Sequence, residues 1–151
     1  MLYFLSLGSN LGMREQTIQN ALQLIRQQIG LVTRYSSFYY SKPWGYESTN
    51  EFCNLCCAVE STKEPLEVLL LTQTIERVLG RKNKTLECCY SDRTIDIDLI
   101  KALDGNGKEI KCKTPTLVLP HPLWQQRDFV CVPLREIESG SFQSSCASAS
   151  H

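Results

Sequence analysis

Asp96 and Asp98, set in the run Arg93-Thr94-Ile95-Asp96-Ile97-Asp98, put two carboxylates on one side of an apolar stretch with an arginine at its entrance. In a strand, residues two apart point to the same face, so the carboxylates project together from Cα atoms roughly 6 to 7 Å apart. Ile95, Ile97 and Leu99 take the opposite, core-facing side. Carboxylates at that spacing repel, and a hard cation relieves the repulsion. Magnesium takes oxygen ligands, keeps several waters and is held by one or two carboxylates together with substrate phosphates. Arg93 adds a planar, permanently charged fork suited to a phosphate oxygen. A strand with one face in water also carries charge at every second position, but Asp is depleted in strands. The pair therefore reads as a metal-nucleotide phosphate site.

The elements that must position this site follow from periodicity. Leu2 to Leu7 predicts a first strand, halted by the turn-forming Gly8-Ser9-Asn10-Leu11-Gly12. A helix follows with Ile18, Ala21, Leu22, Ile25 and Ile29 on one face and Gly30 as its C-terminal cap. Leu31 to Tyr40, rich in β-branched and aromatic residues, predicts a second strand broken by Ser41-Lys42-Pro43-Trp44-Gly45. Phe52 to Glu60 predicts a third, with Cys53, Leu55, Cys57 and Val59 on one face and Phe52 and Asn54 on the other. A second helix starts near Pro65, a residue suited to a first helical position, buries Leu66, Leu69, Leu70 and Gln73, and ends at Gly80. Arg81 to Asp92 is a long polar loop, expected to act as a lid beside the aspartate strand. Asp104-Gly105-Asn106-Gly107 is a hairpin signal that folds residues 99 to 111 back as a ribbon. His121-Pro122 opens a short turn or helix, and Phe129 to Leu134 predicts a last strand.

This order gives an α+β fold: a ferredoxin-like, split β-α-β-β-α-β core with an antiparallel sheet and two helices on one face, plus the ribbon and a C-terminal strand. Residues 1–137 form one domain. Residues 138–151 (ESGSFQSSCASASH) have too little apolar surface to offset the entropy of ordering, and are expected to be a disordered tail.

Composition narrows the function. The 151 residues carry 16 basic and 16 acidic side chains, so no global field advertises nucleic acid or membrane, and a phosphate ligand must be held locally. No stretch approaches the roughly 20 apolar residues of a membrane span. The opening Met1-Leu2-Tyr3-Phe4-Leu5 has no basic start, so a cytoplasmic location is expected. The eight cysteines include Cys53, Cys56, Cys57 and Cys131 in apolar runs and an adjacent Cys88-Cys89 pair, a pattern of reduced thiols. Structural zinc wants four converging ligands, whereas alternation sends Cys53 and Cys57 to one strand face and Cys56 to the other.

Neither a Walker A pattern nor a dinucleotide-binding glycine fingerprint is present, so side chains and metal must grip any phosphate. Gly8-Ser9-Asn10-Leu11-Gly12, Phe52-Cys53-Asn54, Gln73-Thr74-Ile75-Glu76, the aspartate run, and Pro120-His121-Pro122 followed by Arg127-Asp128-Phe129-Val130 together resemble the hydroxymethyldihydropterin pyrophosphokinase family of folate synthesis. The likeness runs in order from about residue 2 to residue 137.

The resemblance implies transfer of pyrophosphate from ATP to 6-hydroxymethyl-7,8-dihydropterin, with release of AMP. It implies two magnesium ions on Asp96 and Asp98, with Arg81 and Arg93 completing the catalytic set. The pterin would lie among Ser41, Pro43, Trp44, Phe52, Asn54 and Phe129, and ATP against Gln73, Glu76, Arg81, Arg93, His121 and Arg127. The expected partners are small molecules only, and the expected state is a monomer. Tyr90-Ser91-Asp92 stands where the family often has Trp-Gly-Pro, Cys89 replaces a common basic residue, and Phe52 replaces a frequent Tyr.

The alternatives are non-catalytic. An RNA-binding module of ferredoxin-like shape would carry a Lys/Arg-Gly-Phe type strand motif and a basic balance, which this chain lacks. A small metal-binding module would keep Asp96 and Asp98 but would need neither Asn54 nor Phe129.

Overall fold

The computed structural model describes residues 1–42, 51–80 and 94–139. Within them the chain runs β1 (Leu2–Ser9), α1 (Arg14–Gln28), β2 (Leu31–Tyr35), β3 (Tyr39–Ser41), β4 (Phe52–Glu60), α2 (Pro65–Val78), β5 (Asp96–Leu103), β6 (Cys112–Lys113), β7 (Val118–Leu119), a single 3-10 turn (Trp124–Gln126) and α3 (Asp128–Ser139). The main sheet has the order β2-β4-β1-β5, with β3 also pairing to β4, and every described pairing is antiparallel. β6 and β7 form a separate two-stranded ribbon.

Alternation divides the sheet's residues between two cores. Tyr3, Leu5 and Leu7 of β1, with Cys53, Leu55, Cys57 and Val59 of β4, pack against Ile18, Ala21, Leu22 and Ile25 of α1 and Val68 and Ile75 of α2. Phe4, Cys56, Ala58 and Ile100 face the other way and are covered by Val130, Leu134 and Ile137 of α3. Each of those three α3 side chains is at most 1% exposed, which at about 1.5–3 kcal/mol per fully buried aliphatic side chain makes α3 part of the folded unit.

One irregularity sets which residues share a face. Leu5 of β1 lies opposite Leu99 and Phe4 opposite Lys101, so Ile100 is an extra residue in β5. Such a bulge re-aims the residues beyond it. Here the carbonyl of Ile100 accepts the backbone N–H of His121 at 2.7 Å and so anchors the segment that follows the ribbon.

Several expectations are corrected. Residues Phe129 to Leu134 are helical, not a strand: the buried set Val130, Leu134, Ile137 has helical spacing, and tertiary burial overrides the β-forming Phe-Val-Cys-Val composition. The same helix continues to Ser139, two residues into the expected tail, and Glu138 pairs there with Lys101; residues 140–151 lie outside the described residues. The second strand divides into β2 and β3. α2 buries Val68, Thr72, Ile75 and Glu76, leaving Leu66 and Leu70 exposed and Gln73 half-buried. Gly30 does not adopt a left-handed cap conformation. Its lack of a side chain is needed because a Cβ there would lie 2.0 Å from the carbonyl oxygen of Glu60.

The turn signal at Asp104 to Gly107 is met. Gly107 has φ 81°, Asp104 N–H donates to Lys108 O at 2.8 Å, and Leu103 bridges Glu109. Cys53, Cys56, Cys57, Cys112 and Cys131 are free thiols, with Cys53 and Cys57 in one core and Cys56 in the other. Burial pushes the Cys57 thiol up to about 12, as expected of an inert packing residue. Cys88 and Cys89 lie outside the described residues.

Candidate active site

Three neighbouring strands bring the candidate residues into two rows on the α3 face of the sheet. Gly8 of β1 lies opposite Asn54 of β4 on one side and Asp96 of β5 on the other. One step along, Ser6 lies opposite Cys56 and Asp98. β5 is at the sheet's edge, so both aspartates are only half-buried.

Gly8 is the floor of the first row. A Cβ there would stand in ordinary contact with a ring carbon of Phe52, at 3.5 Å, but only 3.0 Å from Asn54 Oδ1, which would have to give slightly. Asn54 is 2% exposed, and its Nδ2 donates both to Tyr39 O at 3.0 Å and to Ser41 Oγ at 2.9 Å. With both amide hydrogens used, Asn54 offers its Oδ1 as an acceptor. Phe52 pairs with Ser41 at the same end of the sheet.

The aspartates are held from two sides. Arg127 Nη1 lies 3.6 Å from Asp98 Oδ2, and the Arg127 guanidinium also stacks 5.7 Å from the Phe129 ring centroid. The Arg127 carbonyl accepts Val130 and Cys131 N–H at 3.0 and 2.9 Å, so this residue is also the start of α3. From the other core, Glu76 of α2, 3% exposed, accepts the Ile97 backbone N–H at 2.7 Å. That bond seats the free edge of β5 between the two aspartates; leaving such a donor unpaired would cost about 1–3 kcal/mol.

His121 is anchored at its backbone by the bulge and at its ring by Leu123 N–H, which donates to Nδ1 at 3.1 Å. Burial, and then the charge of Arg127, hold its pKa below the ordinary value, against a smaller opposing pull from Asp96. A neutral imidazole whose Nδ1 accepts must carry its proton on Nε2, so His121 presents an N–H donor. It lines a cleft of about 280 Å³ with Leu69, Asp98, Leu99, Thr116 and Leu117.

The structure thus gathers Phe52, Asn54, Ser41 and Asp96 in one group and Asp98, Arg127, Phe129 and His121 in another, joined through β1 and β5. Gln73 stands one helical turn before Glu76 on α2. Pro43, Trp44, Arg81 and Arg93, and the expected lid at residues 81–92, lie outside the described residues. Sequence reasoning missed Leu69, Thr116 and Leu117 as cleft walls. Thr116 and Leu117 sit in the tight β6–β7 turn, where Thr114 Oγ1 accepts Leu117 N–H at 3.0 Å, and nothing in the order of residues tells that this turn folds over Asp98.

Comparison with known proteins places the same residues in context. The family model described as 7,8-dihydro-6-hydroxymethylpterin-pyrophosphokinase matches residues 4–139. The 2-amino-4-hydroxy-6-hydroxymethyldihydropteridine pyrophosphokinase of Porphyromonas gingivalis is 42% identical over 134 residues, covering 89% of this chain and 88% of that protein. The Bacillus subtilis protein of the same name is 38% identical over 135 residues, covering 89% and 76%. Among solved structures, wild-type Plasmodium falciparum HPPK-DHPS with SDX-DHP is similar in fold, with a TM-score of 0.64 at 14% identity. The match takes in 95% of this chain but 42% of that larger one.

Proposed function

Because the chain belongs to the 7,8-dihydro-6-hydroxymethylpterin-pyrophosphokinase family, we propose that its two rows of residues divide the labour of pyrophosphoryl transfer, the Asn54 end reading the pterin and the Asp98 end holding ATP. The enzyme transfers the β,γ-pyrophosphoryl group of ATP to 6-hydroxymethyl-7,8-dihydropterin in folate biosynthesis, giving the pterin diphosphate and AMP. The observation that carries the division is the Asn54–Gly8–Asp96 row. Two strand spacings separate its outer members by about 10 Å, room for a flat bicyclic ring held by one edge with its hydroxymethyl arm turned to the aspartates.

In this reading Asn54 Oδ1 accepts from an N–H of the ring, Phe52 supplies one aromatic wall, and Phe129, carried on α3 beside Arg127 where the two groups meet, supplies the other. Ser41 fixes Asn54, and Pro43 and Trp44 close the same edge. The cleft walled by Leu69 and Leu117, with Thr116 as a polar group, takes the adenine, and Gln73 serves the same nucleotide. His121 Nε2–H, Arg127, Arg81 and Arg93 donate to phosphate oxygens. Glu76 acts through β5, keeping Asp96 and Asp98 in register.

The donor set fits magnesium. Both aspartates are half-buried, offer only oxygen, and sit on one face. Among the described residues no group of three or more His, Cys, Asp or Glu converges, so nucleotide oxygens and water must complete any coordination. Two ions held by Asp96 and Asp98 would supply positive charge that neutralises the triphosphate.

In the transfer, the hydroxymethyl oxygen bonds to the β-phosphorus as that atom's bond to the α,β-bridging oxygen breaks. The electron pair leaves on AMP and the hydroxyl proton is released. Reactions of this kind depend on positioning and charge stabilisation.

The element order supports the split β-α-β-β-α-β reading of the fold, to which α3 adds a second covering layer. No described helix is long and apolar enough to cross a membrane; we read the enzyme as cytoplasmic and monomeric, working on small molecules without nucleic acid. Incubation with ATP, magnesium and the hydroxymethyl pterin, followed by chromatography of the nucleotides, should yield AMP and pterin diphosphate in equal amounts. ADP as the nucleotide product would overturn the reading.

A further inference from the structure

We infer that Arg14, Glu15 and Tyr40 form a clasp from the start of α1 to the edge of the sheet, and that the clasp sets pterin affinity by positioning β3 beneath Asn54. The inference rests on the reading that Asn54 and Phe52 hold the pterin.

β3 is three residues long and, among the described residues, pairs only with β4. A strand so short has little hold of its own. Yet it supplies both acceptors that orient the Asn54 amide, Tyr39 O and Ser41 Oγ, so the direction of Asn54 Oδ1 depends on where β3 sits.

Alternation turns the side chain of Tyr40 away from Asn54 and towards α1. There its hydroxyl donates to Glu15 Oε2 at 2.7 Å, and the Arg14 guanidinium lies 5.3 Å from its ring centroid. Arg14 Nη1 also donates to the carbonyl of Glu51 at 2.6 Å, immediately before Phe52. One guanidinium therefore grips both Tyr40 and the start of β4, the two strand ends that flank the proposed ring site. Arg14 in turn stands 3.8 Å from Glu15, which keeps the fork aimed at the sheet. Gly12 at φ 66° makes the turn that delivers Arg14 to the first position of α1, and its carbonyl accepts the Arg14 N–H. The bond to Tyr40 is the leading cause holding the Glu15 carboxyl below its ordinary range, so the clasp stays closed at neutral pH.

These three are not core residues. The Arg14 and Glu15 side chains are 27% and 41% exposed and Tyr40 is 44% exposed. Contacts at that exposure add little to global stability. Their effect falls on placement.

The test is a titration of the hydroxymethyl pterin into enzyme loaded with magnesium and a non-hydrolysable ATP analogue, alongside steady-state kinetics and thermal melting. Arg14→Met should weaken pterin binding about five- to tenfold, the loss of one exposed cation–π contact and one charged hydrogen bond. Its kcat, ATP-analogue affinity and melting temperature should stay close to wild type. Arg14→Lys should recover part of the loss, since an ammonium can sit over the ring without forking to Glu51. Arg14→Met combined with Tyr40→Leu should be less than additive. Asn54→Ala, run in parallel, separates the two levels of the argument. If Asn54→Ala weakens pterin binding and Arg14→Met does not, the clasp is wrong. If Asn54→Ala leaves pterin binding intact, the pterin placement itself is wrong. A melting temperature lowered in Arg14→Met with unchanged pterin affinity also overturns the clasp.

Discussion

Arg127 and Asp98 face each other across 3.6 Å, the arginine side chain 9% exposed and the aspartate 30%. Asp96, two residues earlier on the same strand face, lies opposite Gly8. Of the two aspartates that a metal would use, Asp98 has a guanidinium beside it.

That pairing predicts the effect of one substitution on stability. Asp98→Asn removes a charge partner of a nearly buried guanidinium and should lower stability by about 1 kcal/mol, the pair being partly open to solvent. Turnover should fall by orders of magnitude in both Asp96→Asn and Asp98→Asn. Arg127→Gln should bind manganese or magnesium several-fold more tightly in the absence of nucleotide, because a positive charge no longer competes for Asp98. Urea unfolding and manganese titration measure the two halves; unchanged stability in Asp98→Asn would refute the counterion role.

Gly8 is expected to be intolerant for a local reason. Asn54 is held by two donated hydrogen bonds, and a Cβ at 3.0 Å would require it to give by a few tenths of an ångström against them. Gly8→Ala should weaken pterin binding about tenfold, and Asn54→Ala should cost roughly 1 to 3 kcal/mol of the same affinity. The double variant should lose less than the sum. Calorimetric titration of the pterin and of the ATP analogue checks this, the second being unaffected.

His121 ties stability to pH. Its folded pKa lies below the ordinary 6.5, chiefly because burial opposes the charged ring. The unfolded chain therefore binds more protons in the interval between the two values, and stability rises with pH across it. Wild type should be fully stabilised above about pH 6.5 and lose stability as acid is added down through the lowered folded pKa. His121→Asn, which keeps an acceptor for Leu123 N–H, should lose less over the same range. Melting temperatures taken from pH 7.5 to 5 compare the two; parallel curves would contradict the assignment.

What could be read from the sequence was local. The alternation in Leu2 to Leu7 and Phe52 to Glu60, and the Asp-Ile-Asp run, encode face by parity, so the sides taken by Asn54, Asp96 and Asp98 were legible without any tertiary information. Gly30 reads from sequence as a helix cap because glycine commonly serves there, whereas its role is steric and depends on Glu60, 30 positions away. Phe129 to Leu134 reads as a strand because its side chains favour one. Its helical state is fixed by Phe4, Ala58 and Ile100, which offer a surface that only the spacing Val130, Leu134, Ile137 can cover. The approach of Thr116 and Leu117 to Asp98 also depends on distant chain segments. Expected sites at Pro43, Trp44, Arg81 and Arg93 fall outside the described residues.

Arg127 is at once the residue that opens α3 and the counterion of Asp98. The far end of that helix is tied back to the sheet, where Glu136 accepts from Ser37 N–H and Oγ and Arg34 donates to the Ile137 carbonyl. A ligand that draws on Arg127 thus pulls on an element whose other end is fastened beneath β2 and β3. Occupancy of the site should be felt as slower amide exchange along the whole of α3, although Arg127 and Phe129 stand at its first turn. Folding cooperativity and ligand sensing would then share the same twelve-residue helix.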